Sequence, residues 1–319
     1  MEFIYGLSNL RKKHKNCAAT IGNFDGVHLG HQIVLKQLIA ISESNNLVST
    51  VVIFEPQPME YFHIEKAPPR LARLREKLDQ FSRYNIDRVV CLKFNDELAN
   101  LSASEFVDDI LINSLAIKKL IVGDDFHFAK NREGNYEYLL ETSKEKNFEV
   151  FKTNTYEENG LRISSTLIRN LLTEGNIEVA NRYLGRFFVI SGRVIHGDKR
   201  GKILGFPTVN IKLNRYLSPV TGIFSGRIRG IGNKQLDAVI YVGTKPVYSG
   251  IEVLLEAHIL DFDGDLYGRH IQVEFHNKIR DDQHITSEQE MLKQIKLDIN
   301  ETRQYFKKMR VINNKNIKL

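Results

Sequence analysis

The chain has 319 residues, 42% of them hydrophobic and 26% charged, with a net charge of +6. That composition excludes a disordered or fibrous protein, and the length exceeds what one hydrophobic core serves, so two domains of roughly 130–190 residues are expected. No apolar run reaches the roughly 20 residues that cross a bilayer, and MEFIYGLSNLRKKHK puts its basic cluster after a short apolar stretch, the reverse of a secretory signal. A cytoplasmic protein with no membrane partner is expected. Cys17 and Cys91 stand far apart without metal-ligand neighbours, which predicts packing residues and neither a disulfide nor a zinc site. The positive charge suits polyanionic small substrates as well as nucleic acid and selects neither.

From Cys17 to about Leu184 the runs AATIG, VSTVVIF, IDRVVCLKF, KKLIVG and FEVFKT alternate with amphipathic segments, which predicts a parallel sheet covered by helices. In ATIGNFDGVHLGHQIVLKQL a strand ends at a glycine turn and a helix begins near His28, with Ile33, Val34, Leu38 and Ile41 on its apolar side. Gly22 and Gly26 let backbone amides approach a ligand, and a helix N-terminus favours anions. His28 and His31, on the first turn, can both donate to phosphate oxygens where charge builds up in a displacement at phosphorus. They lack the third ligand and the i, i+4 spacing of a helical zinc site. Further on, Ser102 and Glu105 form a capping box ahead of Phe106, Ile110, Leu111 and Leu115 at helical spacing.

After Gly185 six closely spaced strands are predicted, FFVISGRVIHG, TVNIKLN, GIFSGRIRGIG, LDAVIYVG, VLLEAHILDF and GRHIQVEFHNKI, which imply an antiparallel barrel or sandwich. Thr208 and Asn210 alternate along the second of these, so they face one side and present two oxygen ligands, a set that suits Mg²⁺ bound with nucleotide phosphates. Asp261, Asp263 and Asp265 lack the rest of a calcium-loop pattern and read as a turn before Leu266. Ser287 and Glu290 cap a terminal helix whose face of Met291, Ile295, Ile299 and Phe306 can pack on the barrel.

GNFDGVHLGH resembles the H-x-G-H motif of the nucleotidyltransferase superfamily. With FEPQPMEYF, VGDDFHF, RISSTLIRNLL, GDKRGKILGFPTVNI and LLEAHILDFDGDLYG, the chain is similar over residues 17–298 to the prokaryotic bifunctional riboflavin kinase/FMN adenylyltransferase family. The resemblance implies a Rossmann-like α/β adenylyltransferase domain over 1–184 and a β-barrel riboflavin kinase domain with a terminal helix over 185–319. Riboflavin would be phosphorylated with ATP to FMN, and FMN adenylylated with ATP to FAD and pyrophosphate, with Mg²⁺ accompanying ATP and flavins as substrates and products. No nucleic acid partner is implied.

For the adenylyltransferase the same resemblance places Gly22, Asn23, Phe24, Asp25 and Gly30 around ATP, and His28 and His31 at the transition-state phosphate. Ser164, Ser165 and Thr166 open a helix with Arg169 one turn on, hydroxyls and a guanidinium able to hold the β- and γ-phosphates. Asp124, Asp125, Phe126 and Phe128 match the loop near the flavin, where aromatic faces can stack. For the kinase it places Gly201, Lys202, Gly205, Pro207, Thr208 and Asn210 at ATP, the last two also at the metal. Glu256 takes the position of the general base for the terminal ribityl hydroxyl, and its apolar neighbours Leu254, Leu255, Ala257 and Ile259 predict desolvation.

The chain departs from the family at Ala129 and Asn131, where glycines are usual, at Lys245 for Arg, and at Val247 for Thr. Two rival readings are an adenylyltransferase for another phosphorylated acceptor and a non-catalytic flavin- or RNA-binding module, the latter drawing on the pI of 9.1. An aminoacyl-tRNA synthetase relative is disfavoured by the absence of its Lys-Met-Ser-Lys-Ser-like loop.

Overall fold

The computed structural model describes residues 1–197, 200–213, 217–232, 234–247 and 250–316; the side chains of Lys202, Lys245 and Val247, all noted above, lie outside that description. Packing divides the chain into one unit of 1–68 and 72–165 and a second of 69–71 and 166–319.

The first unit is built on a parallel sheet of β1 (Glu2–Tyr5), β2 (Cys17–Ile21), β3 (Val48–Glu55), β4 (Arg88–Lys93), β5 (Lys119–Gly123) and β6 (Glu149–Thr153), in the order β1-β4-β3-β2-β5-β6. β2 is buried along its whole length and lies between β3 and β5, which fits its small side chains Cys17, Ala18 and Ala19. Helices α1 (Leu29–Ser44), α2 (Pro58–Phe62), α3 (Leu74–Arg83), α4 (Asp96–Ala99), α5 (Ala103–Glu105) and α6 (Tyr136–Lys146) follow in chain order, and a short ribbon of β7 (Glu157–Glu158) and β8 (Leu161–Arg162) comes last. The buried residues of α1 are Gln32, Leu35, Leu38 and Ser42; of the predicted face Leu38 is among them and Val34 and Ile41 pack against the same core, on the side of β2, β5 and β3. The Ser102–Glu105 capping box is present. Beyond it, Phe106–Ser114 winds as a π-helix, which still buries Phe106, Ile110 and Leu111. Cys17 and Cys91 are buried and form no disulfide.

The second unit begins with α7 (Ser165–Thr173), apart from its first residue, and α8 (Ile177–Leu184). Then come β9 (Phe188–Ile195), the one-turn helix α9 (Arg200–Ile203), β10 (Val209–Lys212), β11 (Gly222–Ile231), β12 (Lys234–Val247), β13 (Gly250–Ile259), β14 (His270–Arg280) and α10 (Glu288–Asn316). The six strands close as β10-β13-β12-β11-β14-β9, which resolves the choice between barrel and sandwich. The seam between β9 and β14 ends at the pair Phe188–Phe275, and Asn181 of α8 adds a rung there: its Nδ2 donates to the Phe275 carbonyl at 2.9 Å and its Oδ1 accepts from the Phe188 amide at 2.6 Å. α10 does more than lay an apolar face on the barrel. Besides Phe306 it buries Thr302, bonded to Ser225 at 3.0 Å, and Asp298, which takes both Nε and a terminal nitrogen of Arg280.

Under α10, His276 is 2% exposed, stacked on Phe187 at 3.8 Å and edge-on to Tyr305 and Phe306. Burial pushes its pKa below the usual value near 6.5, against the pull of Glu274, whose carboxylate also pairs with Arg229; Arg227 adds to the lowering and Asp237 opposes it. A histidine whose folded pKa is depressed leaves the unfolded chain as the better proton acceptor, so the stability it allows is complete above about pH 6.5 and declines as pH falls below it. The melting temperature of the second unit is therefore expected to drop between about pH 7 and pH 5, and His276→Phe, which keeps the ring contacts, should flatten that slope. Identical slopes in the two proteins would refute this role.

Candidate functional sites

The loop from Gly22 to Val27 follows β2 and carries positive φ at Phe24 (47°), Gly26 (82°) and Val27 (42°). Such values in Phe and a β-branched residue persist only where the surroundings hold them. Here Lys77, fully buried, donates to the Asn23 carbonyl at 3.1 Å, Ser165 Oγ to the Asp25 carbonyl at 2.9 Å, and Gln32 Nε2 to the Val27 carbonyl at 2.9 Å. Asp25, expected at ATP, is buried, and its carboxylate accepts from the Ala72 amide at 2.9 Å, a bond that helps to fix the loop.

His28 is the N-cap of α1, its Nδ1 accepting from the His31 amide at 3.4 Å, which places the proton of the neutral ring on Nε2. The two imidazoles stack at 3.7 Å and 23°. Gly30 permits this arrangement, since a Cβ there would stand 3.2 Å from the His28 ring. Both rings face a cavity of about 700 Å³ lined also by Gly22, Asn23, Phe24, Gly30, Ser164 and Ser165. Thr166 and Arg169 fall in the second unit, where Arg169 Nε donates to the Pro69 carbonyl at 2.9 Å.

The predicted flavin residues line the same cavity. Burial would raise the Asp124 carboxyl, but the hydroxyl and amide of Thr155 and the charge of Arg162 hold it below its ordinary range, while Asp125 pairs with Arg162. Phe126 and Phe128 lie parallel, 5.6 Å apart, and Phe128 is also buried against Phe106 and over Gly134, whose Cβ would come within 2.4 Å of its ring. Sequence reasoning assigned no role to Pro58, Met59 and Phe62, yet they line this cavity with Phe54 and Phe94. Phe62 is 54% exposed, and the aromatic density of the stretch from Phe54 to Phe62 was the available signal.

In the second unit a cavity of about 360 Å³ is lined by Pro207, Thr208, Asn210, Asp263, Asp265 and Tyr267, among others. Thr208 Oγ1 donates to Glu256 Oε2 at 3.0 Å, and Asn210 and Glu256 are direct partners on β10 and β13. Gly197 and Gly201 make room for these groups: a Cβ on the first would meet the Asn210 amide at 2.2 Å, and one on the second the Phe206 carbonyl at 2.5 Å. Gly205 turns with φ 84°. The apolar neighbours Leu255, Ala257 and Ile259 are buried, the last two lining this cavity, and it is Thr208 that bonds Glu256. Asp261 is held outside this group by both terminal nitrogens of Arg303. Thr208 and Asn210 offer hard oxygens to one cavity, and among the described residues no cluster of three or more His, Cys, Asp or Glu side chains forms a metal site.

Residues 10–167 match the FAD synthetase family model and residues 184–306 the riboflavin kinase family model. The chain is 44% identical over 307 residues to the bifunctional riboflavin kinase/FMN adenylyltransferase of Escherichia coli (strain K12), covering 96% of this chain and 98% of that one. It belongs to the bifunctional riboflavin kinase/FMN adenylyltransferase family. The relative from Pseudomonas fluorescens is likewise 44% identical, over 94% of this chain and 96% of its own, and the one from Haemophilus influenzae 39%, over 96% and 99%. A crystal structure described as a macrolide-efflux protein from Streptococcus pneumoniae matches with a TM-score of 0.81 at 26% identity, covering 95% of this chain and 99% of that one. Among the described residues no helix is long and apolar enough to cross a membrane.

Against this riboflavin kinase/FMN adenylyltransferase background the flavin loop carries positive φ at Ala129, Asn131 and Arg132, the last at 60°. Ala129 adopts φ 66° and ψ −177°, a region essentially reserved for glycine. Asn131, at φ 54° and ψ 17°, is tolerated, since Asn visits the left-handed region readily. Removing strain of about 1–3 kcal/mol at an entropic cost of about 0.5–1 kcal/mol makes Ala129→Gly stabilising by about 1 kcal/mol, read as a higher melting temperature of the first unit. A lower one would contradict it.

Proposed function

We propose that this chain makes FMN from riboflavin and ATP in its second half and FAD from FMN and ATP in its first. The observation that carries this reading is the presence of two separate sites on one chain, the stacked His28–His31 pair on a helix N-terminus and the Thr208–Glu256 bond on the barrel. Neither site supports the non-catalytic rival. In the adenylyltransferase half the FMN phosphate attacks the α-phosphorus in line. No protein nucleophile is needed, because positioning and charge stabilisation lower the barrier. Nε2–H of His28 and the ring of His31 would donate to the phosphate oxygens, the Gly22–Val27 loop would offer backbone amides, and Ser164 and Ser165, which line the same cavity, would take the β- and γ-phosphates. Phe62, Phe126 and Phe128 would bound the isoalloxazine.

In the kinase half Glu256 Oε2 accepts from Thr208, leaving Oε1 to take the proton of the terminal ribityl hydroxyl as that oxygen attacks the γ-phosphorus. Mg²⁺, which Thr208 and Asn210 would hold together with the phosphates, supplies charge neutralisation there. The Thr208 hydroxyl can do both, since donating its proton leaves its lone pairs for a cation. Two cysteines that form no disulfide suit a reducing compartment, and the reading puts the chain in the cytoplasm.

Incubating the purified protein with riboflavin, ATP and Mg²⁺ and separating the flavins tests this: FMN and FAD are expected, and unchanged riboflavin would refute it. The halves are proposed as 1–184 and 185–319, and a fragment starting at Gly185 should form FMN but no FAD. A fragment starting at Thr166 should do the same and melt higher, because it keeps Asn181, without which two backbone groups at the seam lose partners worth about 1–3 kcal/mol each. A folded 166–319 fragment that forms no FMN would overturn the assignment.

A further inference from the structure

Asn210, Glu256 and Tyr241 are successive direct partners across the adjacent strands β10, β13 and β12. Opposed residues of antiparallel strands send their side chains to one face, so the three form a row with Glu256 in the middle. On the β10 flank lie the Thr208 bond and the cavity read above as the nucleotide site. Tyr241 stands on the other flank. A base that takes a proton from one substrate while phosphate arrives from another must be approached from two sides, and with the nucleotide beside β10 the alcohol comes from the side of Tyr241.

Tyr241 is also set in place. Its ring lies along the strand over Gly243, where a Cβ would meet the hydroxyl at 2.1 Å and Cζ at 2.5 Å, so the phenol is laid down on the barrel. The hydroxyl donates to Asp282 Oδ2 at 2.8 Å, in the connection between β14 and α10. Burial, the bond to Asp282, and the charges of Asp282 and Glu256 push its pKa up to about 12, which keeps it a proton donor at any working pH. We infer that Tyr241, anchored by Asp282, is a positioning residue that holds the flavin's ribityl end against Glu256. The inference rests on the kinase reading of this half.

The test is steady-state riboflavin phosphorylation by the full chain carrying Tyr241→Phe, Tyr241→Ala, Asp282→Ala, or Tyr241→Phe with Asp282→Ala. Losing one hydrogen bond should raise the KM for riboflavin about 3–10-fold in Tyr241→Phe and in Asp282→Ala, with the KM for ATP unchanged. The double variant should be no worse than either single one, because the two residues act through one bond. Tyr241→Ala, which also removes the ring, should raise the riboflavin KM further. Adenylylation of supplied FMN should stay normal in all four. An unchanged riboflavin KM in Tyr241→Ala, an equal rise in the KM for ATP, or additive single effects would each overturn the inference while leaving the kinase reading intact. Wild-type protein that forms no FMN would sink both.

Discussion

Glu256→Gln is expected to slow FMN formation by about 10²–10⁴-fold, the usual share of a general base. The geometry gives the substitution a definite consequence. Thr208 donates to one carboxylate oxygen, so the glutamine will turn its carbonyl oxygen toward Thr208 and its amide nitrogen toward the substrate alcohol. A donor then faces a donor, and the proton has nowhere to go. Thr208→Val should act differently, raising the KM for ATP as well as lowering turnover, since it removes an oxygen from the nucleotide cavity. Adenylylation of supplied FMN should persist in both variants. Near-normal phosphorylation by Glu256→Gln from about pH 6 to 9 would remove Glu256 from the base role.

His31→Ala should lower FAD formation from FMN by about 10²–10³-fold, the scale for one preorganised donor to a transition-state charge, and leave riboflavin phosphorylation untouched. The structure separates the two histidines. The cap on α1 uses the side chain of His28 and only the backbone of His31, so His31→Ala should cost little stability, whereas His28→Ala also removes a cap worth about 0.5–2 kcal/mol. Comparing the melting temperatures of the two variants beside their rates checks this. If His31→Ala lowers both activities in parallel with the melting temperature, the residue is structural.

Much of this was legible in the sequence because the signals were local. The strand ending at Ile21, the glycine turn and the helix starting after His28 stand where strand pattern and capping chemistry put them. So do the six barrel strands, whose turns are marked by Gly, Asn and Asp. What was not legible depends on long-range packing. The bond that Asp25 receives from Ala72 comes from 47 residues away and leaves no mark in the motif. The apolar neighbours of Glu256 suggest burial, but a strand alternates, and what faces the carboxylate comes from other strands. Polar Asp298 and Thr302 disguise a buried helix face, because their partners Arg280 and Ser225 are on the barrel. The π-helical winding after Glu105 leaves the hydrophobic spacing almost unchanged and so leaves no mark in it.

The closure of the barrel has a consequence for how the second half is made. Its seam joins β9, the earliest strand to be synthesised, to β14, the last, and each of these two lacks a neighbour until that pair forms. Contacts so distant in sequence must await loop closure, which makes folding slow and keeps partial chains open at two edges. A nascent chain stalled anywhere before His270 therefore exposes a ready template for intermolecular pairing. The flavin-phosphorylating half should come off the ribosome as an all-or-none object, vulnerable until its final strand docks and resistant to aggregation from that moment on.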